Sequence, residues 1–331
     1  MKQRWTLWLA VLLLVLTSVG TVFAEPLVLK LGHTMPPTHP ANEAALEIAK
    51  EVEARTNGAI QIQVYPAAQL GGAKDLIEAT IRGTQHMAFD GPGVVSQFFP
   101  KVSVLDMPFL FDSYEQFLKV HNSSYGEELR QELLEKRNLR ILDVCYYGSR
   151  QLTTSKKPVR TMDDIKGLKL RVPEVQESLE SFRALGAAPT PVSFGEVYFA
   201  LQTGVVDGQE NPLTTIYTYK FYEVQKYLTL SNHQIATLFL MINDKVWQSL
   251  TPDQQQIIIE ASAKALERYD AKIFEDEERL VNVLKGEGLE VIELDPEVRN
   301  QFKEAVRSIY SKFDRKWGAD TVQKIEAVLA Q

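Results

Sequence analysis

The chain has 331 residues, a formal charge of −7 at neutral pH and a single cysteine, Cys145. The acidic balance argues against nucleic acid or anionic lipid as a partner, and one cysteine allows no intramolecular disulfide, so stability has to come from packing. The length suits two domains of ordinary size, each with its own core, and Cys145 reads as a buried small hydrophobe.

Lys2 and Arg4 open the chain, an apolar run follows from Leu7 to Leu16, and Val22-Phe23-Ala24 puts small residues one and three places before a cut after Ala24. The run is shorter than the roughly 20 residues that span a bilayer, so residues 1–24 read as a secretory leader that is removed, not as an anchor. No cysteine lies at the cut for a lipid, and loss of Lys2 and Arg4 takes the charge from −7 to −9. The mature chain is expected free in the periplasm, and an anionic ligand there needs a local basic site.

Leu27, Leu29 and Leu31 alternate as a strand does, Ala45, Ile48, Ala49 and Val52 recur at helical spacing, Asn57-Gly58 stops that helix, and Ile60, Ile62 and Val64 alternate again. This βαβ pattern predicts an α/β fold with a parallel sheet. Further strands are predicted at 86–90, 139–146, 168–172, 227–230, 235–242 and 289–294. Thr251-Pro252 is a helix start with a capping hydroxyl, and no breaker follows until Gly286. At 1.5 Å per residue, that helix is about 50 Å long and outruns a single lobe, so it is expected to brace two. No linker is rich in proline, glycine or serine, so the lobes are expected to be discontinuous: 25–147 plus 237–276, and 148–236 plus 277–331.

In such folds ligands lie beyond the carboxyl ends of the strands, which draws attention to His33, Asp90, Arg150, Arg171 and Asn211. Motifs for metal proteases, redox pairs, nucleophile elbows and nucleotide loops are missing from the sequence, and Gly91-Pro92-Gly93 lacks the third glycine of a dinucleotide loop. The five histidines are scattered, so no metal or cofactor is expected. Arg150 is expected in a turn after a strand and Arg171 at the end of one. A guanidinium there can hold a carboxylate with two parallel hydrogen bonds, and the spacing fits surface ion pairs with Glu174 or Asp164 equally well.

The segments LKLRVP, GAAPTPVSFGEVYFALQTGVVDGQENPL and KFYEVQKYLTLSNH, with LGH, VYPAAQLGG and LDMPFLFD upstream, resemble the solute-binding subunit of tripartite ATP-independent periplasmic (TRAP) transporters, dicarboxylate-receptor type. The resemblance covers nearly all of the mature chain. It implies two α/β lobes joined by hinge strands, a long bracing helix, and delivery of a small carboxylate to a small and a large membrane subunit. It also implies that Arg171 binds the carboxylate with Asn211 as partner, that Arg150 is a second basic residue, and that Phe194 is an apolar wall. Where the sialic-acid branch has acidic residues and an arginine, this chain aligns Ala73, Gly91 and Val94, which argues against sialic acid. His33, Gln69, Asp90 and Tyr147 are candidates for reading the ligand's far end. The alternatives are an exported enzyme using Asp90 and His33 as acid and base, and a sensor whose ligand is a signal.

Overall fold

The computed structural model describes residues 25–331, so the leader reading lies outside the described residues. Nine strands, β1 (Leu27–Gly32), β2 (Ile60–Tyr65), β3 (Met87–Asp90), β4 (Leu139–Thr154), β5 (Lys169–Val172), β6 (Ala188–Pro191), β7 (Gly208–Pro212), β8 (Tyr227–Asn243) and β9 (Glu290–Glu293), form one sheet. Its order is β2-β1-β3-β8-β4-β7-β5-β6, with β9 beside β8. The helices that matter below are α1 (Pro40–Arg55), α2 (Ala73–Arg82), α3 (Tyr114–His121), α4 (Gln176–Ala184), α5 (Leu213–Thr218), α6 (Pro252–Gly286), α7 (Pro296–Arg307) and α8 (Thr321–Leu329).

The first βαβ unit forms as its periodicity predicts, with Leu29 and Leu31 buried and β1 parallel to β2. The whole sheet, however, is mixed: β3 and β4 pair antiparallel with β8, and β4 antiparallel with β7. The reason is that β4 and β8 are single strands of 16 and 17 residues, where the sequence predicts a shorter strand ending at Tyr146 and two separate ones. At about 3.3 Å per residue each reaches about 50 Å, so the pair runs unbroken from the β1–β3 side to the β5–β7 side.

Their ladder is interrupted by register shifts at Ile141/Asp143, Tyr146/Gly148 and Arg150/Leu152. At the middle shift Gly148 takes φ +121°, and a Cβ there would lie 2.7 Å from Pro212 Cβ. Bulges leave backbone N–H groups without a ladder partner, and α6 supplies acceptors: Asp270 Oδ1 accepts from Tyr146 N at 2.7 Å, and Glu277 Oε1 from Ser149 N at 2.6 Å. The brace helix itself starts at the predicted cap, with Thr251 Oγ1 accepting from Gln254 N and Gln254 Oε1 from Thr251 N. It packs on α1 near one end and on α5 and β9 near the other.

Apolar burial divides unequally. One cluster runs from Leu29 and Phe89 through Leu170 and Phe182 to Phe302 and Trp317. A second, smaller cluster gathers Val197, Leu201, Ile216, Phe221, Leu280 and Leu289. The C-terminal segment touches both expected lobes: α8 packs on α3, Tyr310 donates to the carbonyl of Pro108 at 2.6 Å, Trp317 Nε1 donates to Ser103 at 2.8 Å, and Lys316 donates to Glu177 at 2.7 Å. Its large aromatic residues find their core against residues 100–121, not within the second lobe alone.

Candidate functional site

A cavity of about 550 Å³ lies between the two sides of the sheet, lined by Asp90, Arg150, Arg171, Phe194, Asn211 and Tyr147 among others. Arg171 comes from β5 and is 3% exposed. Its Nε and Nη2 donate to the Val192 carbonyl at 2.9 and 2.8 Å, and its guanidinium lies 5.7 Å from the centre of the Phe194 ring. Among the described residues no carboxylate lies within ion-pairing distance of it. Burial lowers its pKa from 12.5 to about 10 against the opposing charge of Glu210, so it stays protonated at neutral pH as a buried cation with no carboxylate paired directly to it.

Arg150 is different. It lies inside β4, opposite Pro212 and Gln234, and not in a turn, because the strand continues past Tyr146. Its Nε donates to Glu210, and its Nη2 donates to Glu210 Oε1 at 2.9 Å, to the Glu210 carbonyl at 2.8 Å and to Asn211 Oδ1 at 3.2 Å. Burial alone would push Glu210 up, but the charge of Arg150 and hydrogen bonds from His233 and Arg150 hold it at about 2. Burial keeps His233 neutral; it meets Glu210 through Nε2 at 3.1 Å and Ser231 through Nδ1 at 2.8 Å, a tautomer that donates to the carboxylate and accepts from the hydroxyl. Asn211 Nδ2 donates to Gln209 Oε1 at 2.6 Å, and Gln209 to Thr153 at 2.9 Å. The arginine–carboxylate pairs with Glu174 or Asp164 do not form; Asp164 instead accepts from the backbone N–H of Arg160 and Thr161.

The other side is acidic and hydroxylic. Asp90 Oδ1 accepts from Gly91 N at 2.8 Å while its Oδ2 is buried without a partner, and burial pushes its pKa up to about 7. Asp106 also lines the cavity, accepts from Gln234 at 2.8 Å and is raised to about 7 by burial. Thr237 lines the same wall, and its hydroxyl is buried and unpartnered. Tyr147 meets Thr215 at 2.8 Å, and burial raises its pKa to about 12. At the rim, Tyr219 donates to the Thr34 carbonyl at 2.7 Å and sets its ring edge to face against Phe194 at 4.6 Å. Ala73, Gly91 and Val94, the three departures from the sialic-acid branch, all line the cavity.

Two candidates fall outside the cavity lining. His33 is wholly buried, with neither ring nitrogen hydrogen-bonded, and burial lowers its pKa to about 4, so it sits in the interior as a neutral residue. Gln69 is exposed on the loop after β2. Conversely, Glu210, His233, Asp106, Thr237 and Tyr219 escape the sequence reading. The one available signal for Glu210 was its place in an unbroken polar run, Gln209-Glu210-Asn211, which is wholly buried.

The model of the bacterial extracellular solute-binding protein family 7, DctP, matches residues 31–316. The chain belongs to this family. The sialic acid-binding periplasmic protein SiaP of Vibrio cholerae is 34% identical over 97% of this chain and 98% of its own length. A TRAP periplasmic solute-binding protein from Polaromonas, bound to D-erythronate, superposes with a TM-score of 0.86 at 33% identity, covering 92% of this chain and 100% of the other. The sugar acid-binding protein DctPAm of Advenella mimigardefordensis, in complex with galactonate, superposes at 0.88 and 32% identity, covering 92% and 98%. This family 7 protein is therefore a two-lobed α/β solute-binding protein and a transport receptor, not an enzyme. The acid–base alternative built on Asp90 and His33 falls with that, and His33 does not reach the cavity.

Proposed function

We propose that the mature protein, cut after Ala24, is a periplasmic receptor that clamps one small carboxylate through Arg171 and Asn211, with Arg150 beside them and Phe194 as an apolar wall, and delivers it to the small and large membrane subunits of a TRAP-type transporter. Lobes of 25–147 plus 237–276 and of 148–236 plus 277–331 open and close around it, with the C-terminal residues touching both.

The observation that carries this reading is Arg171, a buried guanidinium with no carboxylate paired directly to it, beside an aromatic face. A desolvated lone cation is costly, so an incoming anion supplies what the fold leaves out, and burial of that pair rewards closure. Asn211 presents an amide already fixed by Gln209, ready to orient one carboxylate oxygen.

A thermal-shift screen of mature protein against hydroxy, oxo, sugar and dicarboxylic acids tests it. One class should raise the melting temperature by mass action, about 2.7 kcal/mol at a hundredfold excess over Kd. Arg171→Ala should weaken binding by about 2–5 kcal/mol, the range for one side of a buried charge pair. Near-native affinity in a folded Arg171→Ala variant would sink the clamp.

A further inference from the structure

The middle register shift of β4 separates two neighbouring tyrosines. Tyr147 lines the cavity, and its hydroxyl meets Thr215 of α5. Tyr146, one residue earlier, points the other way, as strand alternation requires, and is 3% exposed. Its N–H donates to Asp270 Oδ1 at 2.7 Å, its ring stacks on Phe274 at 4.7 Å and on Tyr114 of α3 at 5.1 Å, and its hydroxyl donates to Glu277 Oε2 at 3.0 Å. Asp270, Phe274 and Glu277 follow one another at intervals of four and three, so they form one stripe along α6.

Glu277 reaches further. Its Oε1 also accepts from Ser149 N at 2.6 Å, so one carboxylate spans the bulge from Tyr146 on one side of Gly148 to Ser149 on the other. Asp270 and Glu277 are half-buried, and neither forms an ion pair among the described residues. Burial raises both, Asp270 to about 6, and the donors that ease them back are the N–H groups of Tyr146 and Ser149 and the hydroxyls of Tyr114 and Tyr146. Losing those donors leaves a desolvated acceptor, so the grip resists release. The bulge is also where β4 bends most readily, because its ladder is interrupted and Gly148 has no side chain. Arg150 follows only two residues later.

We propose that Tyr146 is a positioning residue: gripped by α6, it couples bending of β4 at the Gly148 bulge to the brace helix, and the Glu277 span across that bulge favours closed lobes and so holds Tyr147 and Arg150 in place at the cavity. The effect on ligand rests on the receptor reading above; the effect on lobe motion does not.

Tyr146→Phe keeps both ring stacks and the backbone bond and removes only the hydroxyl, while Glu277→Ala removes both bonds across the bulge. In stopped-flow measurements with the acid that raises the melting temperature, Tyr146→Phe should release ligand about fivefold faster and Glu277→Ala about tenfold faster, with association within about twofold of wild type. The double variant should release no faster than Glu277→Ala, since both changes break one link. Spin labels at Lys50→Cys and Gln202→Cys, with buried Cys145 left unlabelled, report the distance between lobes, and in ligand-free protein both variants should move the population toward the longer distance. Unchanged release rates and distances would overturn the proposal, even where urea denaturation shows lost stability, because a purely structural contact does exactly that. If Tyr146→Phe does not fold, Glu277→Ala alone decides. If wild type binds none of the acids, the receptor reading falls and the ligand-free distances still decide the hinge.

Discussion

Arg150 and Arg171 line one cavity but differ in what surrounds them. Glu210 cancels the first and meets His233, whose other ring nitrogen meets Ser231, while the second hydrogen-bonds only to a carbonyl and faces a ring. The cavity thus presents one net positive charge to a ligand from two arginines. The acidic wall answers with Asp90 and Asp106, both raised from 3.8 to about 7 by burial. Asp106 is eased downward by Arg150 and pushed up by Glu210 and Glu177; Asp90 is eased only by the Gly91 N–H. A folded-state pKa above the unfolded value means the contribution to stability is full below about 3.8 and is lost as pH rises through about 7. Burial lowers all five histidines, an effect that opposes acidification below about 6.5, so the total slope mixes signs. The difference between wild type and Asp90→Asn isolates one group. As pH falls from 8 to 4, wild type should gain thermal stability relative to the variant, and parallel melting curves would remove the shift from Asp90.

At the scale of elements, the bulges of β4 are where the chain turns from one half to the other. Gly148 has a left-handed φ and no room for a Cβ against Pro212. Gly148→Ala should destabilise the fold by about 1–3 kcal/mol, measured by urea denaturation, with an unchanged midpoint as the contrary result. The sequence reveals the βαβ start and the brace helix because their signals are local: alternation of Leu27, Leu29 and Leu31, and the Thr251-Pro252 cap. It hides β7, since Gly208-Gln209-Glu210-Asn211-Pro212 has the composition of a loop and becomes a strand only through pairing with β4 and β5. It also divides β8 at Ser231-Asn232, polar residues that mark a turn elsewhere, whereas here Ser231 is buried against His233. Arg171 and Asn211 are legible through the resemblance; Glu210, Asp106 and Thr237 depend on long-range pairing that spacing does not encode.

At the scale of the molecule, the two sides of the cavity are tied by Tyr219 to the Thr34 carbonyl, Thr215 to Tyr147, and buried Glu177 to Ser103 at 2.5 Å and Lys316 at 2.7 Å. Opening the cleft has to break ties of this kind, and ligand shifts the balance toward keeping them. The radius of gyration from small-angle scattering should fall on saturation with the acid that raises the melting temperature. An unchanged curve would mean that the cleft admits ligand without lobe motion.

Because β4 and β8 each serve both sides without a break, neither half is a transplantable cassette. Recombination between relatives that exchanged one lobe would have to cut two continuous strands and a 35-residue helix at matching points. Single substitutions in the cavity wall leave those strands and that helix intact, so a change of ligand preference needs no exchange of a lobe.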